Sequence, residues 1–319
     1  MARSARDLTI TDVRGVRAGH AEDPRHRTGV TVLRFDSATA TAIDVRGGAS
    51  ATYDTASLGL EATYGRRWGL FFAGGSVFGL DAARGLRERI LEEGGGHPAF
   101  ERGRRIAPVS GAALFDLPPD GTAIPDYAEL GYAAARSASD RPLGSGRVGA
   151  GAGATVAKYR GRRSARPGGI GSVAAAIDGG HVGVVAVANS VGAIRDPFAG
   201  RWVATARGRH GRGVPPEPPS GSVRSRAAPG PGTNLVAVVT DVPLQRSELY
   251  RVAVLAHTGL SRAVIPVHTA TDGDVVFSCS TRAPDRRVPS GPPGARADRV
   301  GSVAARLVAE ALLVAVRDA

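Results

Sequence analysis

Apolar positions follow two rhythms along this chain. Gly29-Val-Thr-Val-Leu-Arg-Phe35 and Ala40-Thr-Ala-Ile-Asp-Val45 are rich in β-branched residues and partly alternate, the pattern of strands within the segment 8–45. Leu70-Phe-Phe-Ala73, His181-Val-Gly-Val-Val-Ala-Val-Ala188 and Thr233-Asn-Leu-Val-Ala-Val-Val-Thr240 are short and almost continuously apolar, which predicts buried strands; Val275-Val-Phe-Ser278 predicts a last one. Helical spacing occurs from Phe78 to Glu93, with Leu80, Ala83, Leu86, Ile90 and Leu91 on one side and Gly94-Gly95-Gly96 as the stop. Further helices are predicted from Tyr127 to Ala138, from Pro243 to about His257 with Gly259 as the stop, and from Arg299 to Arg317. Strands and helices mix without strict alternation, which points to an α+β sandwich rather than a doubly wound sheet.

One stretch breaks both rhythms. Residues 203–232 hold six prolines, many glycines and several arginines with almost nothing to bury, and predict an exposed, mobile loop. Order resumes abruptly at Thr233. The length of 319 residues suits one large domain or two fused ones. Cys279 is the single cysteine, so disulfide frameworks and multi-cysteine zinc sites are excluded. No apolar run reaches the ~18–20 residues of a membrane span, and the first residues lack an apolar signal core. A soluble, cytoplasmic protein with no membrane partner is the expectation.

The formal net charge of +12 does not change that picture. Lys158 is the only lysine, and the arginines are scattered, with local clusters at 102–105, 160–163 and 201–226. They are not interleaved with stacking aromatics as in a nucleic-acid surface, so no nucleic-acid partner is expected. Gly149-Ala-Gly-Ala-Gly153 has no clear strand before it and no helix-like segment after it. Lys158 follows Ala157 and precedes Tyr159, so no Walker A loop exists; the glycines read as tightly packed or bulged strand. The seven histidines are dispersed without metal-ligand spacing, and no metal or organic cofactor is called for. Ser76, in Gly74-Gly75-Ser76-Val77-Phe78-Gly79, misses the Gly-x-Ser-x-Gly nucleophile elbow because residue 78 is Phe.

The junction Gly232–Thr233 remains. A hydroxyl residue at the head of a buried strand, after a long loop, is placed to attack the carbonyl before it and exchange the peptide for an ester that water cleaves. Thr233 would then carry both a hydroxyl and a free α-amine, whose reference pKa of about 7.7–8.0 makes it a usable base at neutral pH. The same dipeptide is also an ordinary loop-to-strand boundary.

The chain resembles the L-aminopeptidase/D-esterase family, which includes the β-peptidyl aminopeptidases and is related in fold to ornithine acetyltransferase. The resemblance runs over Val16-Arg-Ala-Gly-His20, Thr28-Gly-Val-Thr-Val32, Arg46-Gly-Gly48, Tyr53-Asp-Thr55, Gly74-Gly-Ser-Val-Phe-Gly-Leu80, Gly149–Gly153, Gly168-Gly-Ile-Gly-Ser172, Val182–Asn189, Thr233–Leu244 and Asp272–Phe277. It implies a self-processing N-terminal-nucleophile hydrolase with a four-layer α/β/β/α sandwich, a single domain over 1–319. Cleavage at Gly232–Thr233 would give chains 1–232 and 233–319 that stay associated as a homo-oligomer, a tetramer.

Carried over by residue, the nucleophile falls on Thr233 and the oxyanion donor on Asn189, an amide suited to that task. The family's Ser-x-Glu pair falls on Asp272 and Asp274, the latter an anchor for an α-amine of Thr233 or of substrate. A substrate-pocket tyrosine of some members has no counterpart in this chain; Phe115-Asp116 lies nearest in the pattern. Plainer readings stand beside these: Asn189 as a turn cap, and Asp272-Gly273-Asp274 as hairpin-turn chemistry. The implied reaction is removal of an N-terminal residue from small peptides, amides or esters through an acyl-enzyme. An acyltransferase on the same scaffold and a non-enzymatic basic binding protein are the alternatives.

Overall fold

The computed structural model describes residues 8–99, 103–117, 123–208, 213–216, 230–283, 292 and 294–319. Nine strands join in one hydrogen-bonded sheet: β1 (Val16–Asp23), β2 (Thr28–Val45), β3 (Ala51–Tyr53), β4 (Arg66–Ala73), β5 (Val109–Ala113), β6 (Gly169–Ile177), β7 (Gly180–Asn189), β8 (Thr233–Thr240) and β9 (Val275–Ser280). Their order is β6-β7-β8-β9-β2-β4-β5-β3, with β1 also paired to β2. Among the described residues four helices cover it: α1 (Ala82–Glu92), α2 (Tyr127–Ser137), α3 (Arg246–Ala263) and α4 (Ala295–Arg317).

The length of β2 explains how one sheet makes two layers. Its 18 residues pair with β4 through 30–34, slip register between Arg34 and Thr39, pair with β4 again at Thr39 and Ala40, and pair with β9 through 40–45. A register slip of this kind bends and twists a strand, so the two halves of the sheet fold over one another. Between them lie Leu33, Leu70 and Phe72 from one half and Val185, Val187, Leu235, Ala237, Val275 and Phe277 from the other. The Phe72 and Phe277 rings meet across this layer at 6.2 Å. The alternate residues of β7 and β8, Val184, Ala186, Val236 and Val238, pack outward under α3 and α4. Val30, Val32, Phe71 and Ala73 pack under α1 and α2. The result is the helix–sheet–sheet–helix sandwich expected from the sequence. Every residue of β8 is buried, which is why its sequence is apolar without alternation.

Several boundaries differ from the sequence reading. The segment before α1 is a 3-10 turn, Ser76–Asp81. α3 begins at Arg246 and runs through Gly259 instead of ending there. A Cβ at Gly259 would stand 2.1 Å from the Ala305 carbonyl of α4, so this glycine serves close helix packing and not termination. Gly149–Gly151 form a 3-10 turn rather than strand, and the segment after Gly153 pairs as strand only over Thr155–Val156. Ala157 ends it with φ 60°. Arg201–Ala204 reaches into the segment 203–232 as a short strand, and Ala206–Arg207 and Gly213–Val214 form two more inside it; 209–212 and 217–229 lie outside the described residues. No helix among the described residues is long and apolar enough to cross a membrane.

Candidate active site

The antiparallel register of β7 and β8 sets Asn189 directly opposite Thr233, one ending its strand and the other beginning its own. β9 runs parallel to β8, so the turn that enters β9 arrives at the same end of the sheet and brings Asp272 and Asp274 with it. Residues more than 80 positions apart thus meet because three neighbouring strands share one edge of the layer.

Thr233 is 4% exposed, and its hydroxyl donates to the Gly232 carbonyl at 2.5 Å. The same carbonyl accepts the Gly273 N–H at 2.9 Å, and the Gly232 N–H donates to Thr271. Gly232 is thus held through both its N–H and its carbonyl, and that carbonyl carries a hydroxyl and a backbone donor on its oxygen.

Asn189 is fully buried. Its Oδ1 accepts the Thr155 N–H at 2.9 Å and Lys158 Nζ at 2.9 Å, and its backbone carbonyl accepts Nζ at 2.8 Å. Its Nδ2 donates to the Phe115 carbonyl at 3.2 Å. These bonds fix which way the amide faces and leave Nδ2 a second N–H. Lys158 is buried, and burial lowers its pKa to about 7, with Asp272 opposing that shift. The break in the backbone at Ala157 precedes this inward-pointing side chain.

The two carboxylates have different partners. Asp272 Oδ1 accepts the Val191 N–H, while Oδ2 accepts the N–H and hydroxyl of Thr269. Burial, then the neighbouring Asp274, raise its pKa. It lies beside Gly232 as partner in an isolated parallel bridge. Asp274 Oδ1 accepts the backbone N–H and side-chain amide of Asn234, at 2.7 and 2.8 Å. Its Oδ2 takes the N–H and Nδ1 of His268, at 2.9 and 2.8 Å. Asp274 therefore grips the residue that follows Thr233. Behind His268, His257 packs edge-on at 4.8 Å; burial lowers its pKa to about 4, and its Nε2 meets the Asp44 carbonyl.

A cavity of about 300 Å³ opens beside these groups, bounded by Phe115, Asp116, Thr155, Lys158, Arg162 and Pro231. Asp116 is tied to Thr28 and the Gly75 N–H, each at 2.7 Å, and burial raises its pKa. Another cavity of about 330 Å³, bounded by Tyr64, Arg66 and Arg246, contains none of the predicted site residues. Ser76 sits at a strand-to-helix turn with φ 55°, yet no histidine or carboxylate is bonded to it among the described residues. Cys279 is buried within β9, with its thiol pushed up to about 12.

The structure brings Thr233, Gly232, Asn189, Asp272 and Asp274 together. Sequence reasoning passed over Lys158, His268 and the Gly273 N–H. Lys158 carried one signal, its standing as the only lysine in an arginine-rich chain. No group of three or more metal-ligating side chains occurs among the described residues.

The four layers are those of the N-terminal-nucleophile hydrolase fold. An L-aminopeptidase D-Ala-esterase/amidase from Ochrobactrum anthropi, itself a variant of that fold, superposes with a TM-score of 0.69 at 19% identity, covering 99% of this chain and 87% of its own. A Burkholderia sp. β-aminopeptidase gives 0.67 at 21% identity, covering 99% and 88%. Residues 9–319 match peptidase family S58, and the chain belongs to that family. It is 35% identical to an uncharacterized aminopeptidase of Mycobacterium tuberculosis, over 98% of this chain and 94% of the relative. It is 30% identical to a 6-aminohexanoate-oligomer endohydrolase of Paenarthrobacter ureafaciens, over 98% and 87%. The protein is a hydrolase of peptide bonds, which disposes of the non-enzymatic alternative.

Proposed function

We propose that this peptidase is a self-processing N-terminal-nucleophile aminopeptidase acting on small peptides, amides or esters, with Thr233 as nucleophile. The observation that carries the reading is the Thr233 hydroxyl lying against the Gly232 carbonyl while the Gly273 N–H holds that oxygen. In maturation Thr233 Oγ adds to the Gly232 carbonyl carbon, and the Gly273 N–H meets the developing negative charge. The C–N bond breaks, the Thr233 nitrogen gains the proton, and an ester joins Gly232 to Oγ. Water then hydrolyses the ester, leaving a carboxylate on Gly232 and a free α-amine on Thr233.

In turnover that amine takes the proton from Oγ as it attacks the substrate carbonyl. Asn189, turned by Lys158 and Thr155, presents its remaining N–H to the oxyanion. Asp274 keeps the head of β8 in place through Asn234. The relatives' names fit an amide-bond hydrolase whose acyl donors range from peptides to 6-aminohexanoate oligomers. The reading includes a cytoplasmic enzyme that assembles as a tetramer of processed protomers, which sedimentation would read.

Intact-mass spectrometry of denatured protein tests the proposal. Two chains are expected, the smaller starting Thr-Asn-Leu-Val. An active protein that remains one chain defeats it, and a different N-terminus moves the nucleophile to that residue.

A further inference from the structure

We propose that His268 is a positioning residue of turnover: its Nδ1–H sets the Asp274 carboxylate that holds the head of β8 once the chain is cut and Thr233 has become a free end. The inference rests on the self-processing reading above. In the uncut chain Thr233 is tethered through Gly232, which donates to Thr271 and accepts from Gly273. Cleavage breaks the covalent link of that tether. The head of β8 is then held by its pairing with β7 and by Asp274 Oδ1, which accepts the N–H and side-chain amide of Asn234 at 2.7 and 2.8 Å. Turnover therefore leans on Asp274 more heavily than maturation does.

That grip works only if the carboxylate is itself oriented. Its Oδ2 accepts from His268 twice, from the N–H at 2.9 Å and from Nδ1 at 2.8 Å. A carboxylate oxygen only accepts, so Nδ1 carries the proton. The ring is steadied in turn by His257, buried at 1% exposure, which packs edge-on with centroids 4.8 Å apart and donates from Nε2 to the Asp44 carbonyl. The backbone supports the same reading. His268 has φ 56°, in the left-handed region where a side chain is strained and glycine is favoured. Strain of this kind persists where the surroundings hold it, and it gathers at working sites. A glycine here would keep the backbone N–H to Asp274 and lack only the Nδ1 donor. Asparagine tolerates left-handed φ and carries an amide N–H at the distance of Nδ1 from the main chain.

The test compares wild type, His268→Gly and His268→Asn. Self-cleavage is read by intact mass, and kcat and KM are measured on the L-aminoacyl-p-nitroanilide that wild type cleaves fastest. His268→Gly is expected to mature within about threefold of the wild-type rate and then to lose about ten- to a hundredfold in kcat with KM unchanged, the scale of a reacting group displaced by ~1 Å. His268→Asn is expected to recover kcat to within about fivefold of wild type. A glycine variant within about twofold of wild type in kcat, or an asparagine variant no better than glycine, overturns the proposal and leaves the self-processing reading intact. Equal slowing of maturation and turnover overturns it too, since that is what a purely structural role gives. If the glycine variant does not fold by circular dichroism, or no nitroanilide is cleaved, nitrogen NMR of histidine-labelled wild type decides. The His268 signal, assigned by its absence from the asparagine variant, is expected to show the proton on Nδ1, and a bare Nδ1 overturns the proposal. Wild-type protein that stays single-chain and active overturns the functional reading, and this inference with it.

Discussion

Lys158 donates to both oxygens of Asn189, at 2.8 Å to the backbone carbonyl and 2.9 Å to Oδ1. One amino group thereby fixes the direction of the side-chain amide on the residue paired with Thr233. Because Oδ1 is occupied by Lys158 and Thr155, only the Nδ2 side is free to meet a substrate oxygen. A donor whose orientation is set before substrate arrives needs no reorganisation as charge develops.

Asn189→Ala should therefore lower kcat by on the order of 10²–10³ with little change in KM. Maturation should be much less affected, because the Gly232 carbonyl already has the Gly273 N–H. Parallel measurement of self-cleavage by intact mass and of steady-state kinetics separates the two. A kcat within about twofold of wild type would show that the turnover oxyanion is also met by backbone.

Thr233→Ala should remain a single chain without activity. Thr233→Ser should still cleave and keep part of its activity, since it retains the hydroxyl and the future α-amine and loses only the methyl that stiffens χ1. Denaturing electrophoresis with N-terminal sequencing reads both.

Lys158 should make stability depend on pH. Its folded pKa, about 7, lies below the ordinary value of 10.5. Between those values the unfolded chain holds a proton that the folded chain has released, so stability rises with pH across the window. That contribution is complete above about 10.5 and lost as pH falls through about 7. Denaturant midpoints at pH 7 and 9.5, compared between Thr233→Ala and Thr233→Ala/Lys158→Met, isolate it. The difference between the two proteins should change with pH in that direction, and a constant difference would contradict it.

Asp274→Asn should act through the fold of the strand head rather than through substrate affinity. Four donor contacts, two from Asn234 and two from His268, fill its carboxylate. An amide cannot accept all four, and a donor left unmet in a buried site costs about 1–3 kcal/mol. The expected result is a lower melting temperature and a lower kcat, with KM for free-amine and N-blocked substrates changed alike. A selective rise in KM for free-amine peptides would instead make Asp274 the amine anchor.

Gly259→Ala, remote from the site, tests the packing of α3 on α4. A methyl 2.1 Å from the Ala305 carbonyl forces the helices apart. A loss of about 1–3 kcal/mol is expected, measured by denaturant unfolding in the Thr233→Ala background; a neutral or stabilising effect would refute the contact.

The sequence by itself determined the elements and the chemistry-bearing residue types. Continuous apolar runs marked β7 and β8 as doubly buried because both faces of those strands meet a packed layer. The hydroxyl at the head of β8, the amide ending β7 and the two aspartates entering β9 were all legible as a family pattern. Tertiary structure decided which partners hold each of them. Asp274, read as an amine anchor, is filled by Asn234 and His268, while Asp272 stands against Gly232. Lys158 carried no periodicity or motif, since its role depends on Ala157 reversing the backbone and on Asn189 lying 31 positions away. Gly259 read as a stop because local propensity is all that one strand of text records; the packing of α4 made it a contact. Pattern fixes what a residue prefers locally, whereas the partners that orient a carboxylate or lower an amine's pKa arrive only when distant strands share an edge.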